Sequence, residues 1–102
     1  MINLQILVGR VGANPDYRIN SNGKHIYKFS VATKSYYNNS EHTEWHNVVC
    51  FGKLAQTCQR VLTKGSLIYV QGKQSTSKNG EKYWTECIAE TIQFLNLKRE
   101  EE

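Results

Sequence analysis

The stretch TEWHNVVCFGK, Thr43 to Lys53, decides how this chain is read. Its aromatic and β-branched residues mark it as a strand. Successive side chains of a strand point to opposite faces. Trp45, Asn47, Val49 and Phe51 share one parity, and His46, Val48 and Cys50 share the other. Both sets are largely apolar, although a strand on the surface of a small domain needs one wet face. If His46, Val48 and Cys50 turn into a core, the aromatic row Trp45 and Phe51 is left on the outside.

Upstream, IYKFSVATKSYY reads as a second strand with Phe29 and Val31 on one face, and NNSEHTE as the polar loop that follows it. INSNGKH carries Asn22-Gly23, a favoured hairpin turn. The first strand runs from Ile2 to Val11, where Ile2, Leu4, Ile6 and Val8 alternate with Asn3, Gln5 and Leu7. Gly9 and Gly12 punctuate it, as glycines do at a bulge or a barrel corner. Pro15 marks a turn in GANPDYR. A loop near residues 12–16 or the Asn-Gly turn joins the first two strands; the pairing itself is not written in the sequence.

Downstream the period changes. Leu54, Cys58, Val61 and Leu62 fall at i, i+4, i+7 and i+8, with Ala55 beside them, a helical stripe of about 10 residues. Lys64 stands in its last turn and Gly65 is expected to stop it. A long hairpin follows: Leu67–Ser75 goes out, Lys78-Asn79-Gly80 turns, and Lys82–Leu95 returns. Three strands, one helix and two strands is the order of the five-stranded oligonucleotide-binding (OB) Greek-key barrel, an all-β fold with one short helix between strands 3 and 4. In that fold the second and third strands, with the loops joining strands one to two and four to five, meet the ligand.

Length and composition agree with one domain. At 102 residues the chain is long enough for one core and too short for two. Hydrophobic residues at 39% and charged residues at 22% exclude a disordered chain. The expected division is a domain over residues 1–97 and a short charged tail, KREEE, over 98–102. The net charge is +4, but Glu100, Glu101 and Glu102 hold a third of the acids at one end, so the body is more basic than the total implies. A basic body favours an anionic partner such as nucleic acid. Cys50, Cys58 and Cys87 form no C-x-x-C, and His42 and His46 lie four apart outside a helix, so no metal or other cofactor is expected. An odd cysteine count without a signal peptide points to a reducing, cytoplasmic compartment. The apolar run Ile6–Val8 is too short to cross a membrane.

An exposed aromatic row beside lysines suits single-stranded nucleic acid. Every base offers a π-face, and stacking contributes ~1–3 kcal/mol per base whatever the sequence. Tyr36 and Tyr37 end the second strand, and Tyr83 and Trp84 stand on the fifth; adjacent residues face opposite ways, so one of each pair packs and the other is free for ligand. Arg10, Lys34, Lys53, Lys73, Lys78 and Lys82 lie near these aromatics in the layout and supply phosphate contacts. The residues alone leave open that Trp45 and Phe51 are covered by a neighbouring chain instead. Catalysis is not expected. A nuclease gathers carboxylates around metal ions, whereas Asp16, Glu41, Glu44, Glu81, Glu86 and Glu90 are spread out, and there is neither a G-x-S-x-G nor a Walker loop.

ILVGRVGANPDYR, FSVAT, TEWHNVVCFGKLA, KGSLIYVQG and YWTEC occur in this order. Together they resemble the bacterial and mitochondrial type of single-stranded DNA-binding protein, over nearly all of residues 4–95. The resemblance implies an OB-fold homotetramer that wraps single-stranded DNA without sequence preference in replication, recombination and repair. It puts Trp45 and Phe51 on the family's stacking positions and Tyr37 on a further tryptophan position. It assigns His46 to a subunit contact, and Tyr69 and Gln71 to the region where dimers pack into tetramers. Three departures stand out. The outgoing arm GKQSTSKNG lacks the aromatic that the family often has there, with Trp84 on the returning arm as its only stand-in. Asn47 stands where a basic residue is common. KREEE has acid but not the hydrophobic tip through which bacterial members recruit replication and repair proteins; such partners are expected only if an acidic tail was removed. The alternative is a tail-less primosomal PriB-like OB dimer acting mainly through protein contacts.

Overall fold

The computed structural model describes residues 1–95. The expected domain boundary after residue 97 and the charged tail beyond it lie outside them. Six strands and one helix run in the order β1 (Gln5–Val11), β2 (Asp16–Ile19), β3 (His25–Tyr37), β4 (Ser40–Phe51), α1 (Gly52–Val61), β5 (Leu67–Asn79) and β6 (Lys82–Phe94). Five of these strands close a barrel in the ring β1-β5-β6-β4-β3, completed by pairing of β1 with β3. All neighbours are antiparallel except β4 and β6, which pair parallel at Val48↔Cys87 and Val49↔Ile88. This is the OB barrel expected from the element order, with the helix between the third and fourth barrel strands.

The extra strand, β2, is a four-residue edge paired to β3 across a turn at Asn20–Gly23. Asn20 Oδ1 accepts from the backbone N–H groups of Asn22 and Lys24, and Gly23 takes the left-handed conformation the turn needs (φ 80°). Tyr17 anchors the strand, its hydroxyl hydrogen-bonded to His25 Nδ1 and its ring against Tyr27. The Asn-Gly turn thus joins β2 to β3, while residues 12–15 carry the chain from β1 to β2.

The interior is filled by Leu7, Val11, Tyr27, Phe29, Val31, Val48, Cys50, Ile68, Val70, Cys87, Ala89 and Ile92. They follow one parity along each strand except on β6, where a bulge at Glu90 shifts the inward set from Cys87 and Ala89 to Ile92. Ala55, Cys58 and Leu62 close one end of the barrel from α1. Val61 is exposed, because α1 ends there and only one narrow side of the helix meets the barrel. Gly65 does not stop the helix as expected. Leu62 caps it in an extended conformation, and Gly65 (φ 91°) instead shapes the turn into β5, its N–H donating to Val11 O at 2.8 Å.

One further expectation changes. NNSEHTE is not a loop. Asn38 and Asn39 (φ 54° and 60°) form a two-residue turn, and Ser40 already pairs with Tyr37, so β3 and β4 make one long hairpin. The strand expected over Ile2–Val11 begins at Gln5, and its outer row is apolar: Ile6 and Val8, with Leu4 just before the strand, are half or more exposed, while Leu7 and Val11 enter the barrel. Period two fixes which residues share a face but not which face is buried. Gly9 lies at the corner where β1 leaves β5 for β3, and a Cβ there would strike the Ala32 carbonyl.

Candidate nucleic-acid interface

The outer surface of β3, β4 and β6 is fixed by register. Val48 and Cys87, paired, point inward, so the residues beside them point out. One row across the sheet reads Lys28, Val49, Ile88 and Lys73. One step along, Ser30 pairs with Asn47 and Glu86 pairs with Ser75 on the same face. The next step brings Arg10, Ala32 and Trp45 from β1, β3 and β4, and Trp84 with Ser77 from β6 and β5. Phe51 pairs with Ile26 at the other end of the face.

This grid explains the two apolar sides of TEWHNVVCFGK. Val48 and Cys50 fill the barrel. Val49 is buried on the outer side, flanked in register by Lys28 and Ile88. Trp45 stays 62% exposed, Phe51 36% and Trp84 39%. Three aromatic rings on one face, with Lys28 and Lys73 between them, form a platform on which bases can stack while cations meet phosphates.

Trp45 is held from below. A Cβ built on Gly12 would come within 2.7 Å of its ring and would also strike Ser30 Oγ. The bare glycine backbone is therefore what lets the indole lie down on the end of β1. Gly12→Ala is expected to lift the ring and to destabilise the barrel by about 1–3 kcal/mol, the usual range for overpacking. Tryptophan emission and urea unfolding check both effects.

The remaining candidates divide by face. Tyr36 shares the outer parity with Trp45, while Tyr37 takes the opposite one and stacks on His42, with ring centroids 4.2 Å apart. Both tyrosines are exposed. Tyr83 likewise lies on the other face from Trp84, under Lys78 Nζ at 5.5 Å. Lys34 is paired with Glu41 at 3.0 Å. Lys53 is the second residue of α1, and Lys82 opens β6; both are exposed. Arg10 donates to the Gly65 carbonyl at 2.9 Å. Lys24 and Lys28, absent from the expected cations, belong to the face: Lys24 Nζ stands 4.7 Å over the Phe51 ring, and Lys28 pairs with Val49. Lys28 was legible from parity, since Phe29 and Val31 face inward.

His46 keeps its inward parity but is only half-buried, near the open end of the barrel, where Nε2 is 2.9 Å from Thr33 Oγ1. Tyr69 and Gln71, hydrogen-bonded to each other at 2.9 Å, lie outside on β5 in register with Val8 and Ile6. The three cysteines are buried core residues. A hydrogen bond with Cys58 and burial push the Cys50 thiol up, and burial and the Glu90 charge push Cys87 up, so both are neutral thiols near pH 7. Among the described residues no cluster of metal-ligating side chains is present, and no helix is long and apolar enough to cross a membrane.

The single-strand binding protein family model matches residues 2–95. A single-stranded DNA-binding protein of Xanthomonas campestris pv. campestris is 42% identical over 104 residues, covering 92% of this chain and 60% of that protein. Single-stranded DNA-binding protein 1 of Xylella fastidiosa is 41% identical over 110 residues, covering 97% and 81%. Single-stranded DNA-binding protein 1 of Chlorobaculum tepidum is 34% identical, covering 95% and 67%. The chain spans about three fifths of the length of its Xanthomonas relatives. Among solved structures, the Plasmodium falciparum SSB complex with ssDNA superposes with a TM-score of 0.87 at 30% identity, covering 93% of this chain and 96% of that one.

Proposed function

The chain belongs to the single-strand binding protein family, and on that premise we propose that it binds and coats single-stranded DNA. The observation that carries this reading is the outer face on which Trp45 is largely exposed and Phe51 and Trp84 are partly exposed, beside Lys28 and Lys73. Stacking holds bases of any identity, and the lysines hold the backbone, so no bond is made or broken. The protein protects exposed strands in replication, recombination and repair, in the cytoplasm.

A homotetramer fits the rest of the surface. Ile6 and Val8 on β1, with Leu4 just before it, leave an apolar row beside Tyr69 and Gln71 on β5. An exposed row of this kind calls for a cover. A second copy of the same strand meets it as a self-complementary, two-fold contact.

The test is competition between oligo-dT and duplex DNA at moderate salt. Single strands are expected to bind better, with affinity that falls steeply as salt rises. Equal binding of duplex and single strand would remove the proposal.

A further inference from the structure

The turn between β2 and β3 aims one side chain. Asn20 Oδ1 accepts from the Lys24 N–H at 3.0 Å, and the Asn20 N–H donates to the Lys24 carbonyl at 2.9 Å. Both backbone groups of Lys24 are thus tied to a single residue, just where the chain enters β3. The side chain itself is exposed, and Nζ stands 4.7 Å over the centroid of the Phe51 ring. Other cations of this face are held by oxygen. Lys34 is paired with Glu41, and Arg10 donates to the Gly65 carbonyl. Lys24 Nζ makes no ion pair among the described residues; an aromatic ring is its partner.

That position sets up a competition. Phe51 is only partly exposed, so the ammonium and an incoming base contend for the same ring. A cation on an exposed ring is worth about 0.5–1 kcal/mol. Base stacking on an aromatic side chain contributes ~1–3 kcal/mol. The base therefore displaces the ammonium. The backbone of Lys24 stays where Asn20 holds it, and the charge swings on a flexible four-carbon stem. A stacked nucleotide brings its own phosphate to the same place. The displaced ammonium then exchanges a weak partner for an ionised one.

We propose that Lys24 is a clamp on the bound strand: it covers Phe51 in the free protein and passes to the phosphate of the nucleotide whose base takes its place. Ring and lysine act as one subsite, the ring holding the base and the ammonium holding the backbone beside it. A cation that merely adds to the charge of the face would act whether or not the ring were there; Lys24 depends on it. The inference rests on the single-stranded DNA reading and adds a binding residue to it.

The experiment measures the affinity of a labelled short oligo-dT by anisotropy across a salt series. It uses the unaltered chain, Lys24→Gln, Lys24→Arg, Phe51→Leu, and Lys24→Gln combined with Phe51→Leu. One phosphate contact to a single strand contributes about 0.7 to the slope of log affinity against log salt. Lys24→Gln is expected to flatten the slope by that amount and to weaken binding about fivefold at about 0.1 M salt, which is the same slope carried over the decade below 1 M. Lys24→Arg is expected to keep both, since a guanidinium pairs with rings and with phosphates. In the Phe51→Leu background, Lys24→Gln is expected to cost less than about twofold, because no base is fixed beside it; the double-mutant cycle reads the difference. An unchanged slope for Lys24→Gln, or equal losses in the two backgrounds, would reduce Lys24 to general surface charge. Tighter binding by Lys24→Gln would make it a cover and not a clamp. Any of these results overturns the proposal while leaving the coating function intact. Failure of the unaltered chain to bind the strand at low salt would remove the coating function and the clamp together.

Discussion

Trp45→Ala lowers the affinity of the intact oligomer for short oligo-dT by about five- to a hundredfold, the effect of losing ~1–3 kcal/mol of stacking at one base. The ring is 62% exposed, so its loss removes a ligand surface more than it removes core. Stability in urea and oligomeric mass are therefore expected to change little. Phe51→Ala has a smaller effect on binding, since that ring is 36% exposed and already carries Lys24 on one side. If instead Trp45→Ala breaks the oligomer and leaves the affinity of each chain unchanged, the aromatic row is an interface between subunits and not a platform for bases.

The double substitution Ile6→Asp with Val8→Asp acts on assembly. Both side chains are half exposed on β1, in register with Gln71 and Tyr69, while the barrel interior is held by Leu7 and Val11 from the other parity of the same strand. The fold therefore survives, and an unpaired carboxylate buried at each contact costs on the order of 3–5 kcal/mol per interface. Light scattering is expected to give a tetramer for the unaltered chain and a smaller species for the variant, with unchanged far-ultraviolet circular dichroism. A variant that keeps the tetrameric mass would show that the subunits meet elsewhere.

Much of this architecture can be read along the chain, because alternation and turn chemistry are local. The Asn22-Gly23 turn, the helical stripe after Phe51 and the long final hairpin are all visible as patterns. β2 is not, because four residues, Asp16–Ile19, are too short a run for their alternation to stand out; the strand is held by Tyr17 against His25 and Tyr27, which belong to the next strand. The Asn38-Asn39 turn is hidden for a different reason. It lacks glycine, and only the tolerance of asparagine for positive φ lets a polar run fold back on itself. In the last hairpin the two-residue loop is Gly80-Glu81, one position later than Asn79-Gly80, with Asn79 pairing Lys82.

The interface divides in the same way. Trp45 and Phe51 declare themselves by parity within one strand. Trp84 joins their face only through the parallel pairing of β4 with β6, a contact between segments far apart in sequence. Lys24 reaches Phe51 only because the β2–β3 turn brings it there.

The central claim, that bases stack on the β4 aromatic row, is tested most directly with Trp84→Phe, which leaves Trp45 as the sole tryptophan. Titration with oligo-dT is expected to quench its emission in step with binding of the strand, followed independently by anisotropy, and added salt is expected to restore it. A strand that binds while the Trp45 emission stays constant would contradict the account.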